Sequence, residues 1–166
     1  MATSVFLDGY SDAVHFDGDL WTTEGWLPSH LSSDIQDIAC GADGPWSIGT
    51  NDLLEEPPVA RWERGSWVLV PLEDPAGDAS MAALSAGPDG VWIAGEDRFD
   101  GDDDSYAAQI WHLTDGGFAA TVSEEIRFVT TDYRPVLRAV GQLASGRVLA
   151  LGVDGLVLER AADPSP

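Results

Sequence analysis

Lysine is missing from this chain. The eight basic residues among 166 are all arginine, and they face 29 aspartates and glutamates, for a formal net charge of -21. A field of that sign repels phosphate backbones and anionic headgroups, so nucleic acid and acidic membrane surfaces are excluded as expected partners. Cysteine is nearly missing too. Cys40 stands alone, so no intrachain disulfide can form and a cysteine-based zinc site has no second sulfur. No run approaches the roughly 18 apolar residues of a membrane span. No segment of useful length carries the 3.6-residue period of an amphipathic helix. Nucleophile-elbow, phosphate-loop and dinucleotide-binding fingerprints are also lacking. The first residues, Met1-Ala2-Thr3-Ser4, run into a strand pattern without a basic or long apolar leader, from which a soluble cytoplasmic protein is expected.

What is present is apolar, aromatic and repetitive. Hydrophobic residues make up 44% of the chain and include seven tryptophans, which marks a folded protein rather than an acidic disordered one. The organising stretch is Gly90-Val91-Trp92-Ile93-Ala94-Gly95. Gly44-Pro45-Trp46-Ser47-Ile48-Gly49 has the same form, Ser4-Val5-Phe6-Leu7-Asp8-Gly9 is a weaker copy, and Gly146 to Gly152 is a copy with one extra residue. The landmarks Phe6, Trp46, Trp92 and Val148 step by 40, 46 and 56 residues, the sign of an array of similar units.

Around each landmark, short apolar strands alternate with glycine- and aspartate-bearing turns, where positive φ or side-chain bonding to the backbone is tolerated. Strands are expected at 5–7, 13–16 and 20–23, and then at 35–40, 45–50, 59–63 and 66–71. A third round covers 81–85, 91–95, 107–113 and 118–122, and a fourth covers 136–142, 147–151 and 156–159. The rounds thus hold three, four, four and three strands. Links fall at 28–34, 73–78 and 123–135, and a long acidic loop at 96–106. One all-β domain over residues 1–160 is expected, followed by a polar tail at 161–166 that frays as a disordered end.

The unit reads aromatic-x-x-Gly, loop, apolar-aromatic, then Asp-Gly-x-x-Trp or a variant. It is carried by Phe16-Asp17-Gly18-Asp19-Leu20-Trp21, by Trp62-Glu63-Arg64-Gly65-Ser66-Trp67 and by residues 111–118. This pattern resembles the degenerate β-propeller repeats of bacterial proteins, and more faintly the Asp-box hairpin of sialidase-type propellers. Asp17 and Asp115 keep the aspartate, whereas Glu63 or Arg64 stands there in the second round. The resemblance implies a small β-propeller of about four blades, with an open arc completed by dimerisation as the alternative, because the first round lacks an innermost strand and the last an outermost one. It says little of activity, since propellers host many. It also implies that loops between second and third strands share a face with the inter-blade links. That face would gather Tyr10, 51–56, 96–106, His30, Glu73, Asp74, Asp132, Tyr133 and Arg134, and would be strongly acidic.

Several residues there carry candidate chemistry. Asp100, Asp102 and Asp104 alternate as a hard cation such as calcium requires, although the glycine and closing glutamate of the standard calcium loop are out of place; a solvated acidic loop is the plainer reading, and no other cofactor is expected. His15, His30 and His112 are far apart in sequence. Tyr133 and Arg134 are an exposed pair suited to clamping a carboxylate, or to pairing with Glu124 or Glu125. Trp26 falls outside the repeat and suits a binding surface, whereas Trp46 and Trp92 are expected to pack between blades. Cys40 reads as a small inner-strand hydrophobe. A binding module follows, using Tyr10, Trp26, His30, Glu96, Asp97, Arg98, Tyr133 and Arg134 toward a basic protein or peptide, as monomer or homodimer. A channel-mouth enzyme for a small polar substrate, with no catalytic residue assigned, and a structural subunit of a larger assembly are the alternatives.

Overall fold

The computed structural model describes residues 2–7, 10–16, 19–25, 33–41, 44–51, 59–73, 80–87, 90–98, 106–115, 120–130 and 136–160. They form fifteen strands in four sheets, with one 3-10 turn at Val153–Gly155. The first sheet is β1 (Ala2–Leu7), β2 (Tyr10–Phe16) and β3 (Trp21–Gly25), in that order. The second is β4 (Ser33–Gly41), β5 (Gly44–Asn51), β6 (Val59–Glu63) and β7 (Ser66–Leu69), also in chain order. The two-residue strand β8 (Leu72–Glu73) leads to the third sheet, built from β9 (Ser80–Gly87), β10 (Gly90–Arg98), β11 (Tyr106–Asp115) and β12 (Ala120–Thr130), with β8 added parallel to β12 at its far edge. The fourth is β13 (Leu137–Gln142), β14 (Val148–Gly152) and β15 (Val157–Arg160). Every other pairing is antiparallel between chain neighbours, as short turns dictate. Among the described residues no helix is long and apolar enough to cross a membrane.

The turns show why the chain reverses where it does. Between β6 and β7, Arg64 (φ 51) and Gly65 (φ 90) both take positive φ. That makes a two-residue hairpin whose twist matches its strands and sets Trp62 across from Trp67, edge to face at 5.5 Å. Several strands are longer than the apolar pattern predicts, β1, β2, β4, β9 and β11 among them, and two further extensions enter segments expected as a loop or a link. β10 continues through Glu96, Asp97 and Arg98, paired with Ala108, Ala107 and Tyr106, so the acidic loop begins later. β12 continues through Glu124 and Glu125 to Thr130, into residues expected as a link. A bulge between Val122 and Glu124, opposite His112 and Leu113, shifts the alternation by one residue and hides the strand from a period-of-two reading. The long third repeat is therefore largely a long β11–β12 hairpin.

The sheets stack in sequence. β1 and β2 pack on β4, and β3 on β7; β4 and β5 pack on β9; β9 and β10 pack on β13. Among the described residues, no strand pair between the fourth sheet and the first reaches that degree of packing. Three apolar layers result. Ile35 and Ala60, with Ile38 and Trp67, face one side of the second sheet. Trp46, Ile48, Val59, Met81, Leu84, Ile93 and Trp111 fill the space between the second and third sheets. Trp92, Ala94, Ile110, Leu137, Val148 and Ala150 fill that between the third and fourth. The run Val91-Trp92-Ile93-Ala94 is apolar throughout because strand alternation sends its residues to two layers in turn, both buried.

The tryptophans of the repeat do pack between sheets, each covered from the neighbouring strand. Arg61, ion-paired to Glu63, lies over Trp46 at 5.4 Å. His112 stacks on Trp92 at 4.0 Å with rings 8° from parallel, and Arg160 of the fourth sheet approaches Trp92 at 5.4 Å. Pairing register corrects one correspondence. Trp46 and Trp92 pair with Ala39 and Ser85, and the same position in the fourth sheet is Leu149, paired with Gly141. Val148, the landmark by spacing, stands one place earlier because the β13–β14 turn holds the extra residue. Cys40 is exposed, contrary to the small-hydrophobe expectation; it pairs with Pro45 beside the hairpin turn, at the far end of β4 from the buried Ile35.

Candidate functional site

The three inner strands β4, β9 and β13 each carry a bulge near their start. Pairing jumps from Ile35 to Asp37, from Met81 to Ala83 and from Leu137 to Ala139. The residues passed over are Gln36, Ala82 and Arg138, which lie 46 and 56 residues apart, the same steps as the repeat. A bulge re-aims the side chain of the extra residue and bends the strand. Here it also demands a glycine on the partner strand. A Cβ on Gly95 would lie 2.0 Å from the Ser80 carbonyl oxygen, and one on Gly152 would lie 2.7 Å from that of Val136. The closing glycine of the repeat motif is thus the residue that lets the inner strand bulge.

The bulges converge on a cavity of about 290 Å³. Its polar lining is Gln36, Thr50, Ser80, Glu96 and Arg138, set among Met81, Ala82 and Leu137. Thr50 and Glu96 come from the ends of β5 and β10, 46 residues apart like the bulges, so three sheets contribute by one geometric rule. One carboxylate and one guanidinium in the same lining suit a polar or zwitterionic group. Below the bulge, Asp37 holds two sheets together: its carboxylate accepts the Ile38 amide at 2.8 Å and, across the gap, the Leu84 amide of β9 at 2.8 Å. Leu84 lies on an edge strand of the third sheet, whose outward amides need such acceptors when covered.

Of the residues singled out in the sequence, Glu96 lines this cavity. Asp97 and Arg98 complete β10, opposite Ala107 and Tyr106, and Tyr10 opens β2 opposite Leu7. Trp26, His30, Asp100, Asp102, Asp104, Tyr133 and Arg134 lie outside the described residues. Among the described residues, no group of three or more His, Cys, Asp or Glu side chains gathers as a metal site would require. Gln36, Ser80 and Arg138 were missed in the sequence. For Gln36 and Arg138 the signal was positional, one place after the first buried apolar of each inner strand and recurring at the repeat spacing; Ser80, one place before Met81, and Thr50 carried none. Comparison with protein-family models, curated proteins and solved structures returned no match.

Proposed function

We propose that the protein is a β-propeller-like binding module that receives a basic protein or peptide on the face carrying the cavity. The observation that carries this reading is the convergence of Gln36, Ser80, Glu96 and Arg138 from three sheets on one cavity. A chain of net charge -21 attracts a cationic partner over distance, and a recess gives it a place to seat one side chain. Glu96 pairs with the incoming cation, while Gln36, Ser80 and Arg138 bind its neighbouring carbonyls or a carboxylate. The acidic stretch that follows β10 supplies steering, with calcium binding at Asp100, Asp102 and Asp104 as a separate proposal for the same loop.

Selection from a random peptide library on the folded protein tests this reading. Lysine- and arginine-rich sequences are expected, with affinity falling as salt rises. Glu96→Gln should weaken binding by roughly 2- to 5-fold, the scale of one partly exposed ion pair. Replacing Asp100, Asp102 and Asp104 together by asparagine should slow association and flatten its salt dependence. Neutral or acidic selected sequences, or binding indifferent to these changes, would overturn it. A second reading, a small enzyme acting on a polar substrate at this mouth, draws on the cavity's volume and its opposed charges; turnover abolished by Arg138→Ala would be its sign.

A further inference from the structure

We infer that Arg138 holds an α-carboxylate in the cavity, and that this carboxylate is the C-terminal end of the basic partner. The inference rests on reading the cavity as the recess of a binding module, and it names what enters. β9 packs on both β4 and β13, so the bulge residue Ala82 falls between Gln36 and Arg138, and all three line the cavity. A methyl group at the middle position leaves room that a longer side chain would fill, with an amide and a guanidinium to either side. Arg138 is exposed and differs from other arginines of the chain. Arg61 is ion-paired to Glu63 and Arg147 to Glu159, and Arg160 lies over Trp92. Among the described residues, no side chain pairs with the Arg138 guanidinium. In a chain of 29 acidic residues and eight arginines, a guanidinium without a carboxylate is open to one brought by a ligand. It meets that group with two parallel N–H bonds.

Size and charge select a chain end. The cavity holds about 290 Å³, just under the lower bound of about 300 Å³ for small-molecule pockets, so it takes one residue rather than a run of several. A partner drawn by a chain of net charge -21 is basic and poor in acidic side chains. The carboxylate that an unmodified basic peptide always carries is the one at its C-terminus. Gln36 and Ser80, in the same lining, offer further hydrogen bonds to that carboxylate or to the last amide. Glu96, at the end of β10, sets an acid in the same lining for the cation of the terminal residue. Attraction by charge alone would give the opposite preference. Capping the carboxylate as an amide makes the peptide one charge more positive, and the acidic field then favours the amide.

Isothermal titration of the intact chain with trilysine and with trilysine amide is the test. Trilysine with its free carboxylate should bind roughly 3- to 10-fold more tightly than the amide, the scale of an exposed bidentate pair working against the field. Arg138→Gln should remove or reverse that preference. Its thermal midpoint should not move, because the side chain is exposed. Equal binding of the two peptides by the wild type, or a preference for the amide, would overturn the carboxylate assignment and leave the basic partner standing. Binding of neither would overturn both. An acid preference that survives in Arg138→Gln would overturn the role of Arg138. Nα-acetyl-lysine should bind within a few fold of free lysine. Its failure to bind would mean that an α-ammonium is recognised, and would overturn a chain end as the source. Should the variant fail to fold, the Arg138 Nε–H resonance of the wild type decides. It should shift with trilysine and not with the amide, and the same response to both would overturn the assignment.

Discussion

Among the described residues, Gly95 and Gly90 leave little room for any side chain. A methyl group on Gly95 would overlap the Ser80 carbonyl oxygen at 2.0 Å, and the obstacle is backbone, which cannot swing aside as a side chain can. Gly95→Ala should therefore cost about 1–3 kcal/mol or more of unfolding free energy, read from a urea midpoint. It should also reshape the cavity, because β9 must lose its bulge to make room. Gly90 combines φ +126 with a 2.4 Å approach to the Leu113 oxygen, so Gly90→Ala is disfavoured by conformation and by space together. Asp37 is a different kind of constraint. Its bond to the Leu84 amide joins two sheets, and removing the acceptor leaves that donor without its bond. Asp37→Ala should cost about 1–3 kcal/mol, and Asp37→Asn less, because the amide oxygen can still accept one of the two bonds. Equal losses in the two variants would show that the bond the amide oxygen retains contributes nothing. These roles were partly legible. The glycines stood out as the frame of the repeat, but the reason for Gly95 lies in a contact with a residue fifteen positions earlier.

At the scale of elements, the strand with its pairing register is the unit that explains most. Strands bounded by glycine turns, such as β5, β6, β7 and β14, fall where turn chemistry predicts. β12 does not, because the bulge at Ser123 shifts its phase and Glu124 and Glu125 interrupt its apolar side. The three inner-strand bulges were invisible for a related reason. A single strand does not show that it carries one residue too many; only its partner does. Trp92 tests the layer between the third and fourth sheets. It is 2% exposed, stacked on His112 and approached by Arg160, so Trp92→Ala should lose about 3–5 kcal/mol. Trp92→Leu should lose less, since Leu149 holds the same register in the fourth sheet and a branched aliphatic refills part of the volume. A loss for leucine as large as for alanine would mean that the ring stacking, not the filled space, is what stabilises this layer.

For the whole molecule, charge decides how the proposed binding responds to salt. Binding of a basic peptide should weaken between low and moderate salt, as screening within about 10 Å at 0.1 M removes the attraction. Measuring the thermal midpoint on the same preparation separates this screening from a general effect of salt on folding. The sequence alone determined the all-β class, the recurring glycine-framed motif and the acidic field, whereas the third round, expected to hold four strands, became a five-stranded sheet once β8 joined β12. What the sequence determined depends on local turn chemistry, on strand alternation or on a sum over the chain. Only the tertiary structure decided that Gln36, Thr50, Ser80, Glu96 and Arg138 share a cavity. That depends on which strand lies beside which, and with what offset, and this is set by packing between residues tens of positions apart.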